Sequence, residues 1–310
     1  MRETMPDQDS QSENGQIHMT LIRGGEPTDV ETISTTHPHP VTVKPSGIRD
    51  MARIQYSPAD RCIYCGAEDD LTREHTVPYG LNGKAVIPAA SCRECAKKTG
   101  AFERKVLRGP MRSVRVLQGF QSRSKHEGAA RTTSVRILRD GVQDEVEVPL
   151  EEAPIVLYFP EFAPPGIVTG KHGTGIDLTG VATVCFGPDP EEFARKLGAE
   201  GLTLESPPYE PVPFAKMLAK IGFATAYAEG TLTRVHELYP VIPAIMGETN
   251  DIGRWVGTMT GSYRKYPGLL HRVALHEDHD RGLLVAEVQL FASSGAPSYG
   301  VVLGTLSPTS

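Results

Sequence analysis

Three neighbouring segments, RCIYCG (61–66), LTREHTVPYGLNG (71–83) and SCRECAKKTGAFERKVLRG (91–109), decide how this chain is read. They contain two Cys-x-x-Cys pairs, Cys62 with Cys65 and Cys92 with Cys95, separated by the 26 residues from 66 to 91. Zinc accepts four thiolates in a closed tetrahedral site, and two knuckles at this spacing are the usual way a chain supplies them. The four cysteines are therefore expected to hold a structural Zn²⁺. In so small a unit the free energy of binding the ion is folding free energy. Neither pair lies in the strand-to-helix context of a thioredoxin-like redox site.

Working outward, Leu71 to Val77 reads as a strand, Pro78 to Lys84 as a loop and Val86 to Ala89 as a second strand. Ser91 is a candidate N-cap for the helix that follows. On that helix Cys95, Thr99, Phe102 and Val106 recur at spacings of four, three and four, which predicts a buried stripe. The zinc would clamp strand to helix, with Glu74 and His75 held at the strand's end.

Charge is distributed unevenly. Residues 51–127 carry 14 basic and 8 acidic side chains, whereas the whole chain has a net charge of -6. Between Lys97 and Lys125 there are nine Lys or Arg and one acid, Glu103. Such a run in an otherwise acidic protein suits a phosphate-facing surface. Lys97, Lys98, Arg104, Lys105, Arg108, Arg112 and Arg115 are the expected nucleic-acid contacts, made mainly to backbone phosphates. A neutral imidazole such as His75 can take a proton from water near pH 7, and an adjacent carboxylate such as Glu74 can hold a hard divalent cation.

The order CxxC, Glu-His-x-x-Pro, Gly, CxxC and then a helix with an acidic residue resembles the zinc-knuckle branch of the HNH endonucleases, which have the ββα-metal fold. The resemblance covers residues 61 to about 125. It implies that His75 is the general base, that Glu74 binds Mg²⁺ or Mn²⁺, and that the cysteines bind zinc. Glu103 matches an acidic position on the family helix, and Asn82 is a candidate helper. The chain departs from the family at Ala96, where Asn or His often completes the divalent-metal site, and at the Pro-Ala-Ala-Ser before Cys92, which lacks the usual Asn. The implied function is metal-dependent hydrolysis of DNA phosphodiester bonds. The alternative is a catalytically silent zinc module that binds nucleic acid or protein.

The remainder is organised around this unit. Residues 1–50, rich in Ser, Thr, Pro and acids, read as a flexible tail, and Met51 as a native start, which would make the preceding segment an extension the fold does not need. Residues 51–127 form the zinc module. Residues 128–175 read as a hairpin turning at Asp140-Gly141 and then a Pro- and Gly-rich connection. Residues 176–310 read as a second α+β domain of unknown role, including an amphipathic helix from Pro213 to Ala228 and three final strands. The fold class expected is α+β. His271, His276 and His279, with nearby acids, read as solvated charge around a turn, Cys185 as a core residue, and GKHGTG (170–175) as no phosphate loop for want of a flanking strand and helix. No apolar run is long enough to span a membrane, and the first residues show no basic-then-apolar leader; a cytoplasmic protein is expected.

Overall fold

A computed structural model describes residues 18–23, 30–33, 54–120, 132–171, 173–207, 209–238, 241–259 and 263–306. In chain order the elements begin with β1 (His18–Arg23) and β2 (Val30–Ile33), followed by β3 (Leu71–His75), β4 (Val86–Cys92), α1 (Arg93–Arg108) and α2 (Arg112–Leu117). Next come the hairpin β5 (Thr132–Arg139) and β6 (Val142–Pro149), then β7 (Ile155–Phe162), α3 (Gly166–Thr169), β8 (Leu178–Phe186), α4 (Pro190–Lys196) and β9 (Gly201–Ser206). The last part holds α5 (Pro211–Ala228), β10 (Val235–Leu238), α6 (Val241–Met246), β11 (Val256–Thr258), β12 (His271–Asp278), β13 (Leu283–Leu290) and β14 (Ser298–Leu306).

The strands form one sheet in the order β2-β1-β9-β5-β6 and another in the order β10-β14-β13-β12, with β11 also paired to β14. β3 with β4 and β7 with β8 make two antiparallel pairs. Helices and strands are mixed along the chain and most strand pairs are antiparallel, so the class is α+β. The β5–β6 hairpin turns at Asp140 and Gly141, both at positive φ, as the Asp-Gly signal requires.

Four differences from the sequence reading have physical causes. Two strands lie inside the stretch read as a tail: β1 runs parallel to β9 and pairs with β2. Tail-like composition averages over a short apolar run, and a sheet edge elsewhere in the chain gives that run a partner. The rest of residues 1–50, and Met51, lie outside the described residues. The connection expected across 149–175 contains β7, buried at seven of its eight positions. Pro160 argues against a central strand, but among the described residues β8 is the only strand that pairs with β7, and an edge accommodates proline. Cys92, rather than Ser91, is the N-cap of α1.

The fourth difference positions the site. α5 is not amphipathic: between Phe214 and Ala226 only Lys216 and Thr225 escape full burial. A helix apolar all round is a core helix. It packs against α1 and against β12, β13 and β14. Gly222 allows the close approach, since a Cβ there would stand 2.9 Å from the Ala286 methyl and 3.2 Å from Val301 Cβ. Phe214 makes edge contacts with Phe159, Tyr209 and Tyr299. Buried side chains form one contiguous cluster from Cys62 to Leu303, so the core continues across residues 127 and 175.

A second contact ties the loop after β3 to the C-terminal sheet. His271, on β12, donates from Nε2 to the Leu81 carbonyl (2.8 Å) and accepts the Phe291 N–H at Nδ1 (3.2 Å). Burial pushes its pKa down to about 4, against the smaller opposing effect of the Leu81 carbonyl. The folded state therefore favours the neutral ring. Its contribution is fully present above the unfolded value of about 6.5 and is lost as pH falls towards 4. Urea unfolding should show about 2 kcal/mol less stability at pH 5 than at pH 7.5 from this group. That component should be absent in His271→Asn, measured over the same pH range.

Candidate metal centre and active-site cleft

The metal centre is built by two turns. Cys62 and Cys65 lie on a knuckle closed by Gly66, at φ +76, whose N–H bonds the Cys62 carbonyl at 2.8 Å. Gly permits that left-handed conformation without a Cβ clash. Cys92 ends β4 and is the N-cap of α1, and Cys95 lies in the first turn, so the second pair does stand at a strand-to-helix junction, unlike the sequence reading; burial and then the neighbouring cysteines raise the Cys95 thiol. The knuckle is held against β4 by the Ile63 N–H to the Ala90 carbonyl, 2.9 Å.

All four Sγ atoms lie within 4.8 Å of one another, and Cys65 and Cys92 are 3.6 Å apart. Four sulfurs at about 2.3 Å from one ion are separated by ~3.8 Å, so the set fits tetrahedral zinc. Burial acts to raise the Cys62 thiol, but N–H groups of Cys92, Cys65 and Tyr64 bring it down to about 7. Among the described residues no other group of three or more His, Cys, Asp or Glu places its ligand atoms so close together. The C-terminal histidines are dispersed instead: His276 pairs with Glu287, His279 with Glu277, and His271 with the loop.

Beside this centre is a cleft of about 660 Å³ between β3, the Pro78–Gly80 loop and α1. β3 contributes Glu74 and His75, and α1 contributes Ala96, Gly100 and Glu103. The His75 and Tyr79 rings are 5.5 Å apart. Arg73, Arg104, Arg108 and Arg115 also line the cleft, giving it a cationic wall. Arg115 is 5% exposed and gives its Nε to the Gly80 carbonyl and a terminal nitrogen to the Leu107 carbonyl. It fastens the loop to the end of α1.

At the floor is a lysine from α5. Lys220, 1% exposed, places its Nζ 2.6 Å from Glu74 Oε1 and 3.1 Å from Glu103 Oε1, and donates to the His75 carbonyl. Glu74 Oε1 also accepts the His75 N–H at 3.1 Å. Desolvation alone would lower the lysine's pKa, but Glu103 and Glu74 outweigh it and hold the ammonium above its ordinary value. Tyr64, buried against Phe223, is pushed well above the usual phenol range by burial and then by the charges of Glu74 and Glu103.

The expected site residues therefore divide. His75, Glu74 and Glu103 meet at one place, with Arg104, Arg108 and Arg115. Asn82 does not line the cleft; at φ 62 it ends the Tyr79–Leu81 turn, its N–H on the Tyr79 carbonyl. Lys98 pairs with Glu248 and Lys105 with Glu210, both towards the C-terminal half, because their helix faces look that way. Lys97 and Arg112 are exposed outside the cleft. Arg73, Tyr79 and Lys220 were missed. For Lys220 the available signal was a lysine within an almost wholly apolar helix.

The resemblance also implies a divalent ion on Glu74. The donor set does not fit one as arranged: Glu74 and Glu103 both face an ammonium, and position 96 offers only a methyl group. Comparison with family models, curated proteins and solved structures finds no match to this chain.

One equivalent of zinc should accompany the purified chain. Cys92→Ser combined with Cys95→Ser should abolish it and lower stability on the order of 5 kcal/mol, read by metal analysis and chemical unfolding. Retention of zinc by that double variant would remove these cysteines from the site.

Proposed function

We propose that the chain is an HNH-type endonuclease that hydrolyses DNA phosphodiester bonds, with His75 as the general base. The observation that carries this reading is the cleft, where an imidazole faces space bordered by arginines. A phosphodiester carries one negative charge and gains charge density on its oxygens as water adds. Arg73, Arg104 and Arg108 would meet those oxygens, and planar guanidinium groups suit them. His75 would take a proton from water as its oxygen bonds to phosphorus. The P–O bond opposite would then break, and the leaving oxygen would take up a proton from solvent water.

The four cysteines would hold zinc with no open coordination position, so its contribution is to fix β4 and the start of α1 beside β3. Glu74 would orient His75 through the backbone N–H it accepts. A second reading, a nucleic-acid- or protein-binding module without catalysis, is favoured by the methyl of Ala96 and by the charge-paired acids.

A plasmid-nicking assay separates the two. His75→Ala should lower the rate by roughly 10²- to 10⁴-fold while leaving zinc content unchanged. Undiminished nicking would remove His75 from the mechanism, and binding without nicking in either protein would favour the second reading. Arg104→Ala with Arg108→Ala should weaken DNA binding at all sequences and reduce the salt dependence by about two counterions.

A further inference from the structure

We propose that the Lys220 ammonium is the resident cation of the Glu74–Glu103 pair, standing where the resemblance would put a divalent ion, and that it positions His75. This rests on the hydrolase reading for its catalytic part only. Three oxygens surround the Lys220 ammonium: the His75 carbonyl accepts a hydrogen bond from it, and Glu74 Oε1 and Glu103 Oε1 stand at ion-pair distance. The charge is satisfied as well as the geometry, since one buried cation faces two carboxylates. A divalent ion entering between the same oxygens would meet that ammonium at close range inside the protein, where repulsion is poorly screened.

The arrangement also grips the base. Glu74 Oε1 accepts the His75 N–H while Lys220 donates to the His75 carbonyl, so the backbone of the histidine is held from both sides by one ion pair. α5 supplies the lysine and is itself fixed against β13 and β14 through Gly222. The C-terminal half is thus part of the site, and the cleft is complete only when α5 is docked on α1.

The test is Mn²⁺ titration of the zinc-loaded full chain, with free Mn²⁺ followed by electron paramagnetic resonance. The wild type should bind no Mn²⁺ that Glu74→Gln removes. Lys220→Met should take up about one equivalent, lost again when Glu74→Gln is added. Glu74-dependent Mn²⁺ binding by the wild type would overturn the assignment, as would a folded Lys220→Met that takes up none. Should Lys220→Met fail to fold, the comparison of wild type with Glu74→Gln decides alone.

Nicking is measured alongside, in buffer freed of divalent ions by a chelating resin. Rates that stay within about twofold on adding Mg²⁺ support the proposal. A rate that depends on Mg²⁺ overturns it and leaves the hydrolase reading standing. No nicking under any condition defeats the hydrolase reading instead, and the Mn²⁺ titration still decides what occupies the acid pair.

Discussion

A lysine taken out of water needs acceptors for all three of its N–H groups and a counter-charge close by. Lys220 finds its counter-charge, and a carbonyl to donate to, on two segments distant from it in sequence: Glu74 and the His75 carbonyl at the end of β3, and Glu103 on α1. Leaving any one of these charges buried without its partners costs several kcal/mol, on the order of 3 to 5 for a broken pair. The positions of β3, α1 and α5 are therefore coupled. A shift of one helix by a turn would strand two carboxylates or an ammonium.

The four cysteines solve a different problem. A two-stranded ribbon and one helix bury too little apolar surface to hold a rigid geometry alone. The knuckles join the segment before β3 to the junction of β4 and α1. From the other side, α5 supports the same unit through Phe223 on Tyr64 and Lys220 on the acid pair. His271 adds a third tie by holding the Leu81 carbonyl. The cleft is consequently framed by the four-cysteine cluster on one flank and by the C-terminal half on the other.

The division among the basic residues shows why charge runs read poorly as surfaces. Arg104 and Arg108 are four apart on α1 and reach the cleft with Glu103, whereas Lys98 and Lys105 turn to acids on the C-terminal half. Arg115 belongs to the same run yet is buried as a clamp on two carbonyls. Helical phase separates these roles, and the partner surface that decides which phase is covered comes from more than 100 residues away.

The sequence by itself determined the local features. Cysteine spacing determined the four-cysteine cluster, short runs bounded by turn residues determined β3 and β4, the 3.6-residue pattern determined α1, and Asp140-Gly141 determined a hairpin, because each depends on neighbours a few residues away. The place of Glu74 and His75 at the end of β3 was legible for the same reason. Only the tertiary structure decided that β1 joins β9, that β7 is buried, that α5 is enclosed on all sides, and that Lys220 lies between Glu74 and Glu103. These depend on which surfaces meet. An apolar helix carrying one lysine does not encode where its counter-charges are, and that pairing emerges only when the core closes around it.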